Sequence, residues 1–218
     1  MKKRKLLGLA GAVAFAFAAL SAHATLVEAN AFKVDMTGTG LGAVDTILTI
    51  QSPENMTTET GSVFANGAGE NTSGDTQAIT QLRTFTGPAS NLRIVFNPSE
   101  PQNDQDGITL QNLILTAFDA GGTARFTSDT FTPVALTATD AGTGNSGFVF
   151  KLDDPHAAAL DSAISAFGAT RIGLSATAND ATGGHETFFL MAVPEPSTWA
   201  MLVAGAIGVA GMVRRRLS

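Results

Sequence analysis

The sequence contains no cysteine, no tyrosine and a single tryptophan, Trp199. Without cysteine there can be no disulfide, no thiol nucleophile and no cysteine-ligated zinc or iron–sulfur site. Fourteen phenylalanines supply nearly all of the aromatic surface, and twelve of them lie between Thr25 and Val193. Carbohydrate modules that stack sugars commonly use exposed Trp and Tyr, whose rings combine an apolar face with a polar edge. The composition therefore disfavours a stacking type of carbohydrate module.

Basic residues are scarce away from the two ends of the chain. Seven of the 13 Lys and Arg lie among the first five and the last five residues, which leaves six for residues 25–213. All 19 Asp and Glu also lie in residues 25–213, so this part carries a net charge of −13. A body with this charge repels phosphate backbones, and nucleic-acid binding is not expected. The negative charge favours solubility, and divalent cations are the alternative partner.

The N-terminus has the three parts of a secretory signal peptide. A basic segment at residues 2–5 precedes an apolar stretch at residues 6–20 that is rich in alanine. Ala22 and Ala24 then place small residues at the −3 and −1 positions that signal peptidase requires. The pattern predicts that residues 1–24 are removed in the periplasm and that Thr25 becomes the new N-terminus.

The C-terminus carries a second signal of three parts. Val193-Pro194-Glu195-Pro196 cannot continue a helix or strand, because proline lacks an amide hydrogen and holds its predecessor extended. An apolar segment at residues 198–213 follows, and its 16 residues are near the lower limit for crossing a bilayer core of about 30 Å. The chain then reaches Arg214, Arg215 and Arg216, which would keep the C-terminus in the cytoplasm. We predict a transmembrane helix at 198–213.

This three-part arrangement resembles the PEP-CTERM sorting signal of surface proteins from Gram-negative bacteria. The resemblance implies that an exosortase, a membrane protease-transpeptidase, processes the protein at the Pro-Glu-Pro segment. It also implies a route through the inner membrane to the cell envelope, the cell surface or the medium. Proteins that carry such signals are typically associated with exopolysaccharide and biofilm. The resemblance covers residues 193–218 and concerns sorting, so it does not reveal what the exported body at 25–192 does.

Short alternating segments separated by Gly, Asn, Asp and Thr predict that the exported body is all-β, as a two-layer β-sandwich or jelly roll. Gly121-Gly122 and Gly183-Gly184 predict hairpin turns, and residues 66–75 are predicted to form an exposed loop. The predicted strands are 26–34, 46–51, 62–65, 79–85, 92–96, 108–118, 124–127, 134–137, 148–153, 171–176 and 187–192.

Two segments differ from this pattern. Residues 108–118 have apolar side chains at both odd and even positions, which predicts a central strand that is covered on both faces, with a bulge near Asn112. The second segment has the end signals of a helix, with Asp154 as N-cap, Pro155 at the first position and Gly168 after the end. Leu160, Ile164 and Phe167 would form its apolar stripe; these three residues recur at helical spacing.

One loop has the oxygen ligands that calcium prefers. Asp104 and Asp106 precede Gly107 at alternate positions, and alternate side chains of a tight loop can face the same ion. The position of the bidentate Glu in an EF-hand is occupied by Leu113, so the loop is not an EF-hand. A solvated connection between strands is the other interpretation, and Asp75 and Asp180 could contribute only if the fold brings them close. No other cofactor is predicted.

No catalytic arrangement is evident in the body. Its two histidines, His156 and His185, fit surface positions, and there is no G-x-S-x-G segment to hold a serine nucleophile. We therefore expect a non-enzymatic protein with a structural or adhesive role, whose partners are signal peptidase, exosortase, the membrane and the exopolysaccharide or matrix. The alternatives are a calcium-dependent or lectin-like binding module and, behind it, a hydrolase of unrecognised type.

Overall fold

The computed structural model describes residues 26–35, 45–52, 56–99, 107–129, 131–137, 146–182 and 184–193. In these residues the prediction of a mainly β body with one helix is confirmed, and one turn of 3-10 helix is added at Ala89–Asn91. The elements are β1 (Leu26–Asp35), β2 (Thr46–Ile50), β3 (Glu59–Asn66), β4 (Gly69–Gly74), β5 (Arg83–Thr84), β6 (Leu92–Asn97), β7 (Ile108–Phe118), β8 (Ala124–Thr127), β9 (Val134–Leu136), β10 (Ser146–Leu152), α1 (Asp154–Phe167), β11 (Arg171–Asn179) and β12 (Glu186–Ala192).

The strands form two antiparallel sheets that pack against each other. Sheet A has the order β1-β10-β6-β12-β2, and sheet B has the order β4-β3-β11-β7-β8, with β5 also pairing with β11 and β9 with β7. Both sheets contribute buried side chains to one hydrophobic core. The sheets approach closely at Gly61 of β3, where an added Cβ would lie 2.8 Å from Ile50 Cγ2 of β2. A larger residue at position 61 would push the two layers apart.

Strand β7 is an interior strand, as predicted, but the reason for its apolar pattern is different. The register with β11 shifts by one residue where Thr177 pairs with Asn112 and Ala178 pairs with Leu110. This bulge reverses the alternation, so Leu110 before it and Leu113 after it both face the core and are 0% exposed. The opposite face is only half-buried, at Ile114 for example. The predicted bulge is present, and the prediction of full burial on both faces is wrong.

Two other local predictions are wrong. Residues 69–74, predicted as part of a loop, form the edge strand β4, in which every residue is exposed. Its strand geometry comes from backbone pairing with β3, which a polar sequence does not reveal. The predicted strand 79–85 is reduced to β5. Residues 78–79 form a turn instead. The chain after the turn bonds to β2 without forming a ladder. The Thr49 N–H donates to Thr80 Oγ1, and the Gln81 N–H donates to the Ile47 carbonyl.

The two predicted hairpin turns have different outcomes. Gly122, with φ of 84°, lies in the turn between the paired strands β7 and β8. The Asp119 carboxylate supports this turn, and its pKa is lowered because it accepts a hydrogen bond from the Thr123 N–H and a second from Arg125. The connection through Gly184 is not a hairpin, because β11 and β12 belong to different sheets. It crosses one end of the body instead.

Helix α1 packs beside β8 and the 3-10 turn. Its N-cap is Asp153, one residue before the predicted Asp154, and Gly168 ends it in the left-handed conformation at φ 65°. Leu160 is buried as expected. Phe167 is 54% exposed, with the Arg125 guanidinium 4.6 Å above its ring. The buried stripe is formed instead by His156, Ala157, Leu160 and Ala163.

The assignment of Asp153 as the N-cap predicts that Asp153 and Asp154 contribute differently to the free energy of unfolding. Asp153 Oδ1 accepts the His156 N–H at 3.1 Å and also contacts the His156 ring, so Asp153→Ala should lower the free energy of unfolding by about 1–2 kcal/mol. Asp154 is exposed in the first turn, and Asp154→Ala should cost less because it removes only an interaction with the helix dipole. Urea denaturation of both variants measures this, and a larger loss for Asp154→Ala would contradict the assignment.

Candidate functional site at the C-terminal junction

The last strand of the body leads directly into the predicted sorting segment. Strand β12 is an interior strand that pairs with β6 on one side and β2 on the other. Its last residue, Ala192, lies opposite Leu92, and the Val193 N–H donates to the Asn91 carbonyl at 2.9 Å. The hydrogen bonds of the sheet and its flanking turn thus extend to the residue immediately before Pro194.

A polar cleft of about 340 Å³ lies beside this end of β12. It forms because β2 begins only at Thr46, opposite Phe189, while β12 continues to Ala192. Asp45 lies at its edge, where its carbonyl accepts the Leu190 N–H at 3.2 Å. Arg83 lines the cleft, donates from Nε to the Thr46 carbonyl and places Nη1 3.7 Å from Asp45 Oδ1. The junction is therefore flanked by a guanidinium and an exposed carboxylate.

Most residues that the sequence assigns to sorting and processing lie outside the described residues. Val193 is the member of the Val-Pro-Glu-Pro segment that the structure places. The others are Pro194, Glu195 and Pro196, the apolar segment 198–213, Arg214, Arg215 and Arg216, and the processing residues Ala22, Ala24 and Thr25. In the part of the chain that is described, no helix has the length and apolar character needed to cross a membrane.

Comparison with known protein families identifies the C-terminal segment. Residues 192–216 match the family described as PEP-CTERM protein-sorting motif. The chain carries a PEP-CTERM motif. The match begins at the last residue of β12, so the PEP-CTERM motif and the folded body meet without an intervening linker. Such a motif indicates export and membrane-associated sorting toward the cell surface. No curated protein and no solved structure matches the chain.

The predicted calcium ligands Asp104 and Asp106 lie outside the described residues, and the structure resumes at Gly107 with a φ of 69°. Asp75 and Asp180, the two carboxylates named as further ligands if the fold brought them close, are exposed. Among the residues that are described, no group of three or more His, Cys, Asp or Glu side chains is arranged to hold a metal ion. The calcium site on this loop stays a prediction.

The histidines and their neighbours differ from the expected surface positions. His156 is 5% exposed, because it lies in the buried stripe of α1 and bonds to the carboxylate of Asp153. His185 is half-buried, and the adjacent Glu186 is 0% exposed. A second glutamate, Glu59 at the start of β3, is 1% exposed. Sequence reasoning missed both buried glutamates because each begins a strand next to polar residues, where a charged side chain is normally solvated.

Proposed function

We propose that this chain is an exported surface protein that an exosortase processes at Val193-Pro194-Glu195-Pro196, and that its β body then has a non-enzymatic structural or adhesive role in the envelope or extracellular matrix. The observation that carries the proposal is the PEP-CTERM match at residues 192–216. In this route, the segment 198–213 holds the chain in the inner membrane as a helix until processing. Exopolysaccharide or another matrix component is the proposed partner of the released body.

The junction geometry supports recognition of an extended peptide close to the body. The Val193 N–H is bonded to Asn91, and two prolines at 194 and 196 prevent β12 from continuing as a paired strand. Glu195, between them, is the one ionisable side chain of the segment. The three arginines at 214–216 fix the depth and the orientation of the span in the membrane. Peptide and anchor therefore have separable roles, which makes both testable.

The sorting proposal predicts the behaviour of two groups of variants. In cells that carry the matching exosortase, Glu195→Ala and deletion of residues 214–216 should leave export intact and retain the protein in the membrane fraction. The first change removes the side chain that the enzyme would read, and the second removes the anchor. The measurement is cell fractionation with an antibody raised against the body.

Matched controls separate these roles from general disturbance. Ser197→Ala alters the residue next to the Val-Pro-Glu-Pro segment and should be processed like the wild type. Replacing residues 214–216 by three lysines keeps the charge and should preserve release. If the Glu195→Ala protein and the deletion variant were released from the membrane as completely as the wild type, the C-terminus would be a plain anchor. The sorting proposal would then fail.

Export by a signal peptide gives a further prediction. Ala22 and Ala24 place cleavage after residue 24, so the exported protein should begin at Thr25. Mass spectrometry of the N-terminal peptide from the periplasmic or surface fraction tests this. Recovery of peptides from residues 6–20 in the exported protein would show that the segment is an uncleaved anchor.

A calcium-dependent or lectin-like binding module is the second candidate for the body. The observation that favours it is the burial of Glu186 and Glu59 in a strongly acidic domain. Glycan-array binding, measured with calcium and again with a chelator, tests this function directly. Calcium-dependent glycan binding would support the module, and its absence would leave the structural or adhesive role.

A further inference from the structure

Glu186, the first residue of β12, is a buried carboxylate. Its side chain is 0% exposed, and neither carboxylate oxygen makes a hydrogen bond to a residue that the structure describes. An ionised carboxylate in such a place loses its hydration without compensation, which is strongly unfavourable. It must therefore either take up a proton or bind a cation.

Glu186 points into the gap between the two sheets. It shares a face of β12 with Phe188, which belongs to the main core and stacks on Phe96. Its cross-strand neighbour, Ile50, is the residue that meets Gly61 of sheet B. The side chain of Glu186 thus points toward sheet B. It lies at the end of the body where β12 and β3 begin and β6 ends, and we call this end the loop end.

A second buried carboxylate enters the same gap from the opposite sheet. Glu59 lies two residues before Gly61 on β3 and therefore faces sheet A. Its Oε1 accepts the Ser52 N–H at 2.8 Å, and Ser52 lies two residues after Ile50, the partner of Glu186. These contacts hold the two carboxylates at the same end of the gap, on either side of the chain at residues 50–52.

The loop end has acidic neighbours and the half-buried His185, and it is remote from the lysines and arginines of the body. Asp75 is attached there by bonds to Thr60 and Gln51, and Asp180 directly follows β11. Strand β1, which carries Lys33, is three strands from β12, or about 14 Å at the usual strand spacing. The other five basic residues of the body lie at the opposite end, near Ala192: Arg83, Arg93, Arg125, Lys151 and Arg171.

We propose that the loop end binds a divalent cation, with Glu186 and Glu59 as its anionic ligands. Calcium fits best, because it accepts six to eight oxygen ligands in irregular geometry, including backbone carbonyls and water beside a small number of carboxylates. A cation between the sheets would compensate the charge of Glu186 and link β3 to β12 without a disulfide. The proposal rests on Glu186 and Glu59 without the predicted loop ligands Asp104 and Asp106, and it does not depend on the sorting route.

The test uses the full chain in detergent micelles and CaCl2 as the only added ligand. A large excess of calcium over its dissociation constant should raise the melting temperature of the wild type by about 5–10 °C, and EDTA should reverse the rise. Glu186→Gln keeps the size of the side chain and removes its charge, so this variant should fold and lose the calcium response. Glu59→Gln should weaken calcium binding at least tenfold in isothermal titration calorimetry.

Two controls make the outcome decisive. Asp45→Asn removes an exposed charge at the opposite end and should keep the full calcium response. The double change Asp104→Asn and Asp106→Asn should also keep it. If the double change abolished the response while Glu186→Gln retained it, the cation would belong to the loop and the proposal would be overturned. The proposal is equally overturned if the wild type does not respond to calcium and Glu186→Gln melts at a higher temperature, because Glu186 would then be a protonated acid.

Discussion

Leu115→Ala should lower the free energy of unfolding by about 2–5 kcal/mol, the usual range for a buried leucine whose removal leaves a cavity. Leu115 is 0% exposed and lies in the middle of β7, opposite Leu174 of β11. Its backbone is also fixed, because its N–H donates to Ser128 Oγ and its carbonyl accepts the Ser128 N–H, both at 2.8 Å. Neighbouring strands on both sides limit how far the site can collapse around the missing atoms.

Ile114→Ala is the matched control for this prediction. It removes a side chain of similar size from the next residue, but Ile114 is only half-buried on the outer face of sheet B. Ile114→Ala should therefore lower the free energy of unfolding clearly less than Leu115→Ala does. Urea denaturation followed by circular dichroism measures both. Equal losses would mean that the outer face of β7 is covered as fully as the inner face, as the apolar pattern alone suggests.

The two leucines before and after the bulge explain why the sequence pattern of β7 was misread. Alternation identifies a half-buried strand only while the strand keeps its period of two. One extra residue near Asn112 moves the core-facing positions from even numbers to odd numbers, so a strand buried on one face has apolar residues at both parities. The strand and the approximate position of the bulge could be predicted, but the burial followed from the register with β11, which is a long-range property.

The elements that were missed have the same physical cause. Strand β4 has no apolar residue and is extended only because β3 offers it backbone partners. The segment before β5 looks like a strand, but it bonds to the edge strands of the two sheets without joining either ladder: the Gln81 N–H donates to the Ile47 carbonyl of β2, and the Leu82 N–H donates to the Glu70 carboxylate of β4. Backbone pairing determines the structure of these regions, and the local sequence does not reveal which strand is the partner.

The two candidate sites differ in how far the sequence could predict them. The sorting motif is a linear signal whose order of proline, apolar segment and arginine can be read directly, and the family match covers the same residues. The buried carboxylates Glu59 and Glu186 are 127 positions apart and meet one gap only because β2 and β3 pack together. Nothing local to either glutamate distinguishes it from a solvated one, so this second site required the fold.

A chain that ends at Val193 should unfold cooperatively, whereas a chain that ends at His185 should not fold. The shorter chain lacks β12, which pairs with six residues of β6 and four of β2 and carries Phe188 and Phe189. Phe188 is 0% exposed and stacks on Phe96 at 4.6 Å between ring centres. Losing one such phenylalanine costs about 3–5 kcal/mol, against a total stability of about 5–15 kcal/mol for a domain. Without β12, sheet A would be divided between β6 and β2.

Thermal melts of the two truncated chains, begun at Thr25, measure this difference. Cooperative unfolding of both at similar temperatures would show that β12 is dispensable and that the junction lies earlier than Val193. The expected result places a limit on processing. A cut within β12 would remove backbone pairs from an interior strand, whereas a cut after Val193 leaves every pair of β12 and the bond from Val193 to Asn91 in place. We therefore expect that processing which releases a folded body occurs after the end of β12, at Val193 or beyond.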